Sequence, residues 1–131
     1  MIAGVGIDLV NLHRIARVRE KYRERFINKI LGATEKTEYY SLLDKKNGQK
    51  QADLFLARRF AAKEAISKAL GYGLKNPISL KSIEIRNNSL GKPFVIFSQL
   101  ICEELNLTTE NIHISITDDS GFAQAMAILE R

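Results

Sequence analysis

The sequence predicts an α+β fold in which an antiparallel sheet packs against helices. Two observations carry this. Short apolar runs that alternate or carry β-branched residues, at 2–9, 80–85, 94–97, 112–117 and 122–129, read as strands. Between the first of these and the rest lies a long stretch, Leu12 to Leu70, in which apolar residues recur at spacings of three and four. The later strands come in sequence neighbours joined by turn residues, which makes them hairpins.

The elements follow in order. Ile2 to Leu9 reads as a buried strand running into a turn at Asp8-Leu9-Val10, and Asn11 is placed to cap the next helix. One helix is expected from Leu12 to about Lys29, with Leu12, Ile15, Arg19, Tyr22 and Phe26 on one side and Arg14, Arg17, Lys21 and Arg25 on another. Thr34 is the expected cap of a second helix carrying Tyr39, Tyr40, Leu42 and Leu43. The polar run Asp44 to Asp53, with Gly48 in it, reads as an exposed loop. Ala52 to Leu70 is the strongest helix, rich in Ala, Leu, Arg, Lys and Glu, and Gly71 stops it. A hairpin turns at 87–91, a short helix covers Ser98 to Leu107, and a last hairpin turns across Asp118-Asp119-Ser120-Gly121.

At 131 residues the chain is expected to form one domain, 1–131, with one ordinary core. Its net charge of +5 and pI near 9.4 suit an acidic partner: a nucleic acid, an anionic membrane, a phosphorylated ligand or an acidic protein. The single cysteine, Cys102, precludes an internal disulfide, and with no signal-like or membrane-spanning stretch a cytoplasmic setting is expected. Cys102 itself reads as a small buried residue, since no neighbouring cation would lower its pKa. No cluster of His and Cys suggests zinc, and no Gly-Lys-Ser/Thr loop suggests a nucleotide triphosphatase.

Three places could carry chemistry. Phe60, Glu64 and Lys68 are spaced by four on the long helix and share a face; Glu64 and Lys68 are either a surface ion pair or a charged pair at a site. Ala61, Ala62, Ala65 and Ala69 around them permit close approach of another backbone or of a ligand. Asp8, at the end of an apolar strand, is either a turn residue or one of two hard oxygen ligands for Mg²⁺, with Glu64 the other. His113, Ser115 and Thr117 alternate on one face of a strand, able to contact phosphate or simply to be hydrogen-bonded structure. The basic stripe of the first helix is either a solvated face or a docking surface; Arg14 to Lys29 holds many more bases than acids.

Taken together, Gly6-Ile7-Asp8, Arg14-Ile15, the run Arg59-Phe60-Ala61-Ala62-Lys63-Glu64-Ala65-Ile66-Ser67-Lys68-Ala69-Leu70-Gly71, then Gly91-Lys92-Pro93 and His113-Ile114-Ser115-Ile116-Thr117 resemble the holo-acyl-carrier-protein synthase family of 4'-phosphopantetheinyl transferases. The motifs keep the family's order over nearly the whole chain. The resemblance implies the family's fold, a homotrimer with active sites between subunits, and transfer of phosphopantetheine from coenzyme A to a serine of acyl carrier protein for fatty acid biosynthesis, releasing 3',5'-ADP. It implies Asp8 and Glu64 as ligands of Mg²⁺, or of Mn²⁺, and Asp8, Glu64 and Lys68 as the catalytic set. Lys63, Ser67, Lys68, Gly71, His113, Ser115 and Thr117 are implied at coenzyme A. Arg14, Lys21 and Arg25 are implied in docking the acidic carrier protein. Nucleic acid and membrane are not expected partners: a nucleic-acid module would explain the charge but neither Glu64 nor Lys68, and aromatics are not interleaved with the basic stripe. Many family members place a second histidine after the last Thr, where this chain has Asp118 and Asp119. The Leu that often precedes Thr34 is also replaced, by Ala33.

Overall fold

The computed structural model describes residues 1–75 and 77–131. A first strand, β1 (Ile2–Asn11), leads into helices α1 (Leu12–Tyr22), α2 (Glu24–Ile30), α3 (Ala33–Leu43) and α4 (Gly48–Leu70). Strands β2 (Ile83–Asn87) and β3 (Pro93–Phe97), helix α5 (Gln99–Leu105) and strands β4 (Ile112–Asp119) and β5 (Phe122–Glu130) complete the chain. All strand pairings are antiparallel, but they form two sheets: β1-β5-β4 and the separate hairpin β2-β3. The α+β class is as expected; one sheet has become two.

The long helix α4 is the axis of the core. Ala52, Leu56, Ala57, Ala61, Ala62, Ala65 and Ile66 are fully buried, on nearly all sides of the helix. Such a helix must be surrounded, and it is: β1, β5 and β4 cross one side, α1, α2 and α3 another. Its alanines face the glycines of β1. A Cβ on Gly6 would stand 1.8 Å from the Ala65 carbonyl oxygen, and one on Gly4 2.0 Å from that of Ala69. Only glycine allows this approach.

Three local expectations change. The first helix breaks at Arg23, whose φ of 50° and ψ of −125° cannot continue a helix, so Arg25 belongs to α2. The polar run after Asp44 is not a loop to Asp53: α4 begins at Gly48. Arg19 explains this, donating from Nε and Nη2 to the two Asp53 oxygens at 2.6 and 2.8 Å. That ion pair gives the buried Asp53, in the second turn of α4, a distant partner that local composition does not reveal. Finally, α3 is capped at Gly32, whose N–H is accepted by Glu35 Oε1 at 3.0 Å, while Thr34 lies within the first turn.

Other signals hold. Asn11 Oδ1 accepts the His13 and Arg14 amides at 2.8 and 3.3 Å, capping α1. Gly71, at φ 78°, ends α4. The β4–β5 turn is tighter than expected, a two-residue Ser120-Gly121 corner with both φ positive, so both strands gain length. Cys102 is half-buried against the core.

Candidate active site

The close contact of β1 with α4 decides where the charged residues meet. Gly4, Gly6, Asp8 and Val10 share the face of β1 turned to the helix, because successive side chains alternate. With Gly6 seated on Ala65, the next inward residue, Asp8, reaches the turn that carries Lys68. Lys68 Nζ donates to Asp8 Oδ1 at 3.1 Å and to the Ile7 carbonyl at 2.9 Å. Glu64, one turn earlier on the same face, is half-buried. Its carboxyl is held above the usual carboxylate range, first by burial and then by the negative charge of Asp8, with Lys68 opposing. Asp8, far from Glu64 and Lys68 in sequence, therefore joins them in one charged cluster.

Glu64 opens into an apolar groove of about 510 Å³ between α4 and the α1–α2 pair. Phe60, Val18, Tyr22, Phe26, Ile30, Leu74 and Leu80 supply its apolar walls, and Arg25 and Lys29 its cations. Lys21 Nζ and the Arg25 guanidinium stand 5.2 and 6.0 Å from the Tyr22 ring centre, so positive charge gathers at the groove's edge. Arg14, Lys21 and Arg25 are all exposed. The helix break at Arg23 turns Arg25 into the groove rather than leaving it on one stripe with Arg14.

Two residues expected at coenzyme A are not available to it in this chain. Lys63 is fully buried; its Nζ donates to the Ile30 carbonyl at 2.6 Å and to Glu35 Oε1 at 2.5 Å, and burial holds its pKa below the ordinary lysine range. Ser67 is also buried, and its hydroxyl donates to the Glu64 carbonyl of its own helix at 2.9 Å. Both correct the sequence reading for one reason: α4 is covered on nearly all sides, so the motif neighbours of Glu64 point into the core. Gly71 is exposed just past Lys68.

His113, Ser115 and Thr117 do share an exposed face of β4, but it is the face of the sheet turned away from α4. The single chain does not bring them to Asp8 and Glu64. His113 Nε2 lies 2.8 Å from Glu130 Oε2 on β5. A second cleft, of about 450 Å³, lies at the end of β4, lined by Arg58, Arg59, Asn87, Gly91, Pro93 and Asp118 among others. Arg58 Nη1 donates to Asp118 Oδ2 at 3.3 Å. Arg58 is a lining residue that sequence reasoning passed over; its place directly before the Arg59-Phe60 motif was the available signal.

A divalent cation fits the carboxylate pair. Both are hard oxygen donors, and the Asp8 charge adds to burial, the larger cause, in holding the Glu64 pKa up; a cation between them would relieve that repulsion. Among the described residues no group of three or more His, Cys, Asp or Glu gathers to hold a metal.

The model of the 4'-phosphopantetheinyl transferase superfamily matches residues 4–127. The holo-[acyl-carrier-protein] synthase of Wigglesworthia glossinidia brevipalpis is 44% identical over 133 residues, spanning 98% of this chain and 92% of that protein. That of Bacillus subtilis is 40% identical over 131 residues, spanning 100% and 98%. The solved structure of the Neisseria meningitidis synthase superposes with a TM-score of 0.87 at 32% identity, covering both chains fully. That from Bacillus anthracis, in complex with CoA (3',5'-ADP), gives 0.78 at 36% identity over 98% of this chain and 96% of that one. By sequence and fold, the chain belongs to the 4'-phosphopantetheinyl transferase superfamily.

Proposed function

We propose that the chain transfers 4'-phosphopantetheine from coenzyme A to a serine of apo acyl carrier protein, giving holo carrier protein and 3',5'-ADP, in the service of fatty acid biosynthesis in the cytoplasm. The observation that carries this reading is the convergence of Asp8, Glu64 and Lys68 at an apolar groove edged with cations. Relatives named holo-[acyl-carrier-protein] synthase and a neighbour holding coenzyme A support the substrate pair.

In the reaction the serine oxygen bonds to the β-phosphorus of coenzyme A while the bond to the 3',5'-ADP oxygen breaks. Asp8 and Glu64 would hold Mg²⁺ or Mn²⁺, which supplies neutralisation of charge on the pyrophosphate. Glu64, whose raised pKa makes its ionised form a stronger base than an ordinary carboxylate, is placed to take the serine proton directly or through water. Lys68, oriented by Asp8 and the Ile7 carbonyl, stabilises or protonates the departing phosphate oxygen. Arg14, Lys21 and Arg25 would steer the acidic carrier protein to the groove.

The position of His113, Ser115 and Thr117 suits coenzyme A bound between copies of the chain. The outer sheet face beside them is apolar and exposed: Val5, Ile7 and Leu9 on β1 are 57, 52 and 61% accessible. Covering that face against a neighbour in a homotrimer would bring one copy's β4 to another's Asp8 and Glu64. Each copy would be one catalytic domain spanning 1–131.

The deciding experiment is a mass measurement. Incubation with apo carrier protein, coenzyme A and Mg²⁺ is expected to add one phosphopantetheine to the carrier. No mass gain at any magnesium concentration overturns the assignment.

A further inference from the structure

A lysine buried completely beside Glu64 has a part to play other than touching coenzyme A. We propose that Lys63, with Glu35 as its counter-charge, is a positioning residue for transfer: it ties α2 to α4 and so sets the groove into which Glu64 opens. The inference rests on the transferase reading for its kinetic consequence.

Ile30 is the last residue of α2, so its carbonyl has no partner within the helix. Lys63 Nζ supplies one at 2.6 Å and places a cation at the helix's negative end. The same Nζ meets Glu35 Oε1 at 2.5 Å. Glu35 in turn accepts the Gly32 amide at 3.0 Å and the Ile85 amide at 3.1 Å, and the Arg59 guanidinium stands 3.6 Å away. One buried ion pair thus pins the end of α2, the start of α3 and the strand β2 to α4.

The wall of the groove follows from this tie. Phe26, Lys29 and Ile30 of α2 face Phe60 and Glu64 of α4 across it. Lys63 directly precedes Glu64, so whatever holds α2 to Lys63 holds it in register with Glu64. Apolar packing would hold the helices together as firmly, because a buried ion pair adds little stability over a well-packed apolar pair. Hydrogen bonds add direction: they fix the rotation and height of α2, to which a groove wall is sensitive.

The test uses the Lys63→Met/Glu35→Gln double variant, which leaves no unpaired charge in place of the pair. Circular dichroism checks the fold, and amide hydrogen exchange reads α2. Transfer is measured with carrier protein and coenzyme A varied separately. Faster exchange in residues 24–31 and a KM for carrier protein raised about tenfold, with KM for coenzyme A within about twofold, are expected. A rise confined to the coenzyme A KM would mean that Lys63 reaches the coenzyme, and overturns the proposal. So do unchanged kinetics with only a lower melting temperature. If the double variant does not fold, Lys63→Met alone, which leaves Glu35 against Arg59 and the Gly32 and Ile85 amides, should raise the carrier KM in the same direction, and an unchanged value overturns the proposal. Should the wild-type protein transfer nothing, the transferase reading fails by itself, and hydrogen exchange of α2 still decides whether the tie exists.

Discussion

Replacing Gly6 by alanine would separate Asp8 from Glu64 and Lys68 without touching any of them. In the native structure a Cβ at this position would lie 1.8 Å from the Ala65 oxygen and 2.8 Å from both the Ala65 carbonyl carbon and the Ala69 amide nitrogen. All three are backbone atoms of the central helix, so no side chain can swing aside. Opening 1.8 Å to at least 3.0 Å requires β1 and α4 to part by about 1.2 Å. Asp8 and Lys68 meet across that seam at 3.1 Å, and such a shift takes them out of hydrogen-bonding range. Overpacking of this kind costs about 1–3 kcal/mol, which for a chain of this size lowers the melting temperature by roughly 5–10 °C. A displacement near 1 Å in a catalytic set reduces turnover on the order of a hundredfold. Melting followed by circular dichroism and transfer followed by carrier mass, both well below the variant's melting temperature, measure the two effects. A Gly6→Ala protein with wild-type melting and wild-type transfer would refute the claim that the glycine–alanine seam positions the site.

Three other perturbations test separate parts of the argument. Glu64→Gln should abolish transfer and leave the fold intact; because the folded state raises this carboxyl's pKa, ionisation at neutral pH opposes folding, so the variant should melt higher than wild type at pH 7, with the gain vanishing as pH falls below the ordinary Glu range. For the same reason the Glu64 carboxyl of the metal-free protein should titrate above an ordinary glutamate, read by NMR, and added Mg²⁺ should lower it. Arg14→Ala should chiefly raise the KM for carrier protein and weaken its salt dependence, measured by initial rates at two ionic strengths. Ile7→Lys, placing a charge on the exposed apolar sheet face, should shift the sedimentation profile from trimer to monomer and reduce transfer with it; a monomeric wild-type protein with full activity would dismiss the shared-site reading.

Much of the outline was legible in the chain's periodicities, and the failures have particular causes. The Ala-rich run to Leu70 and the alternation of His113, Ser115 and Thr117 are local patterns, and local patterns survive folding when the burial they anticipate is supplied. Asp44 to Asp53 misled because its polarity is satisfied by Arg19, thirty-odd residues away, and composition carries no record of a distant partner. The break at Arg23 was invisible because nothing in the residue type signals a positive φ there.

The central helix draws the line between the two kinds of information. Sequence alone determined that Glu64 and Lys68 share a face of α4, since a spacing of four is one turn in any helix. It determined also that small residues lie beside them and that Asp8 follows an apolar strand segment, but the turn expected at Asp8 is strand instead, because β1 runs on to Asn11 with Asp8 paired to Ala125 of β5. Only the tertiary structure decided that Gly4 and Gly6 press β1 onto those small residues and so deliver Asp8 to Lys68. It alone decided that Lys63 and Ser67, adjacent in the same motif, face inward and serve the fold. Spacing sets where a side chain stands on its own element, whereas the packing of elements sets what stands opposite, and a charged site is made of what stands opposite.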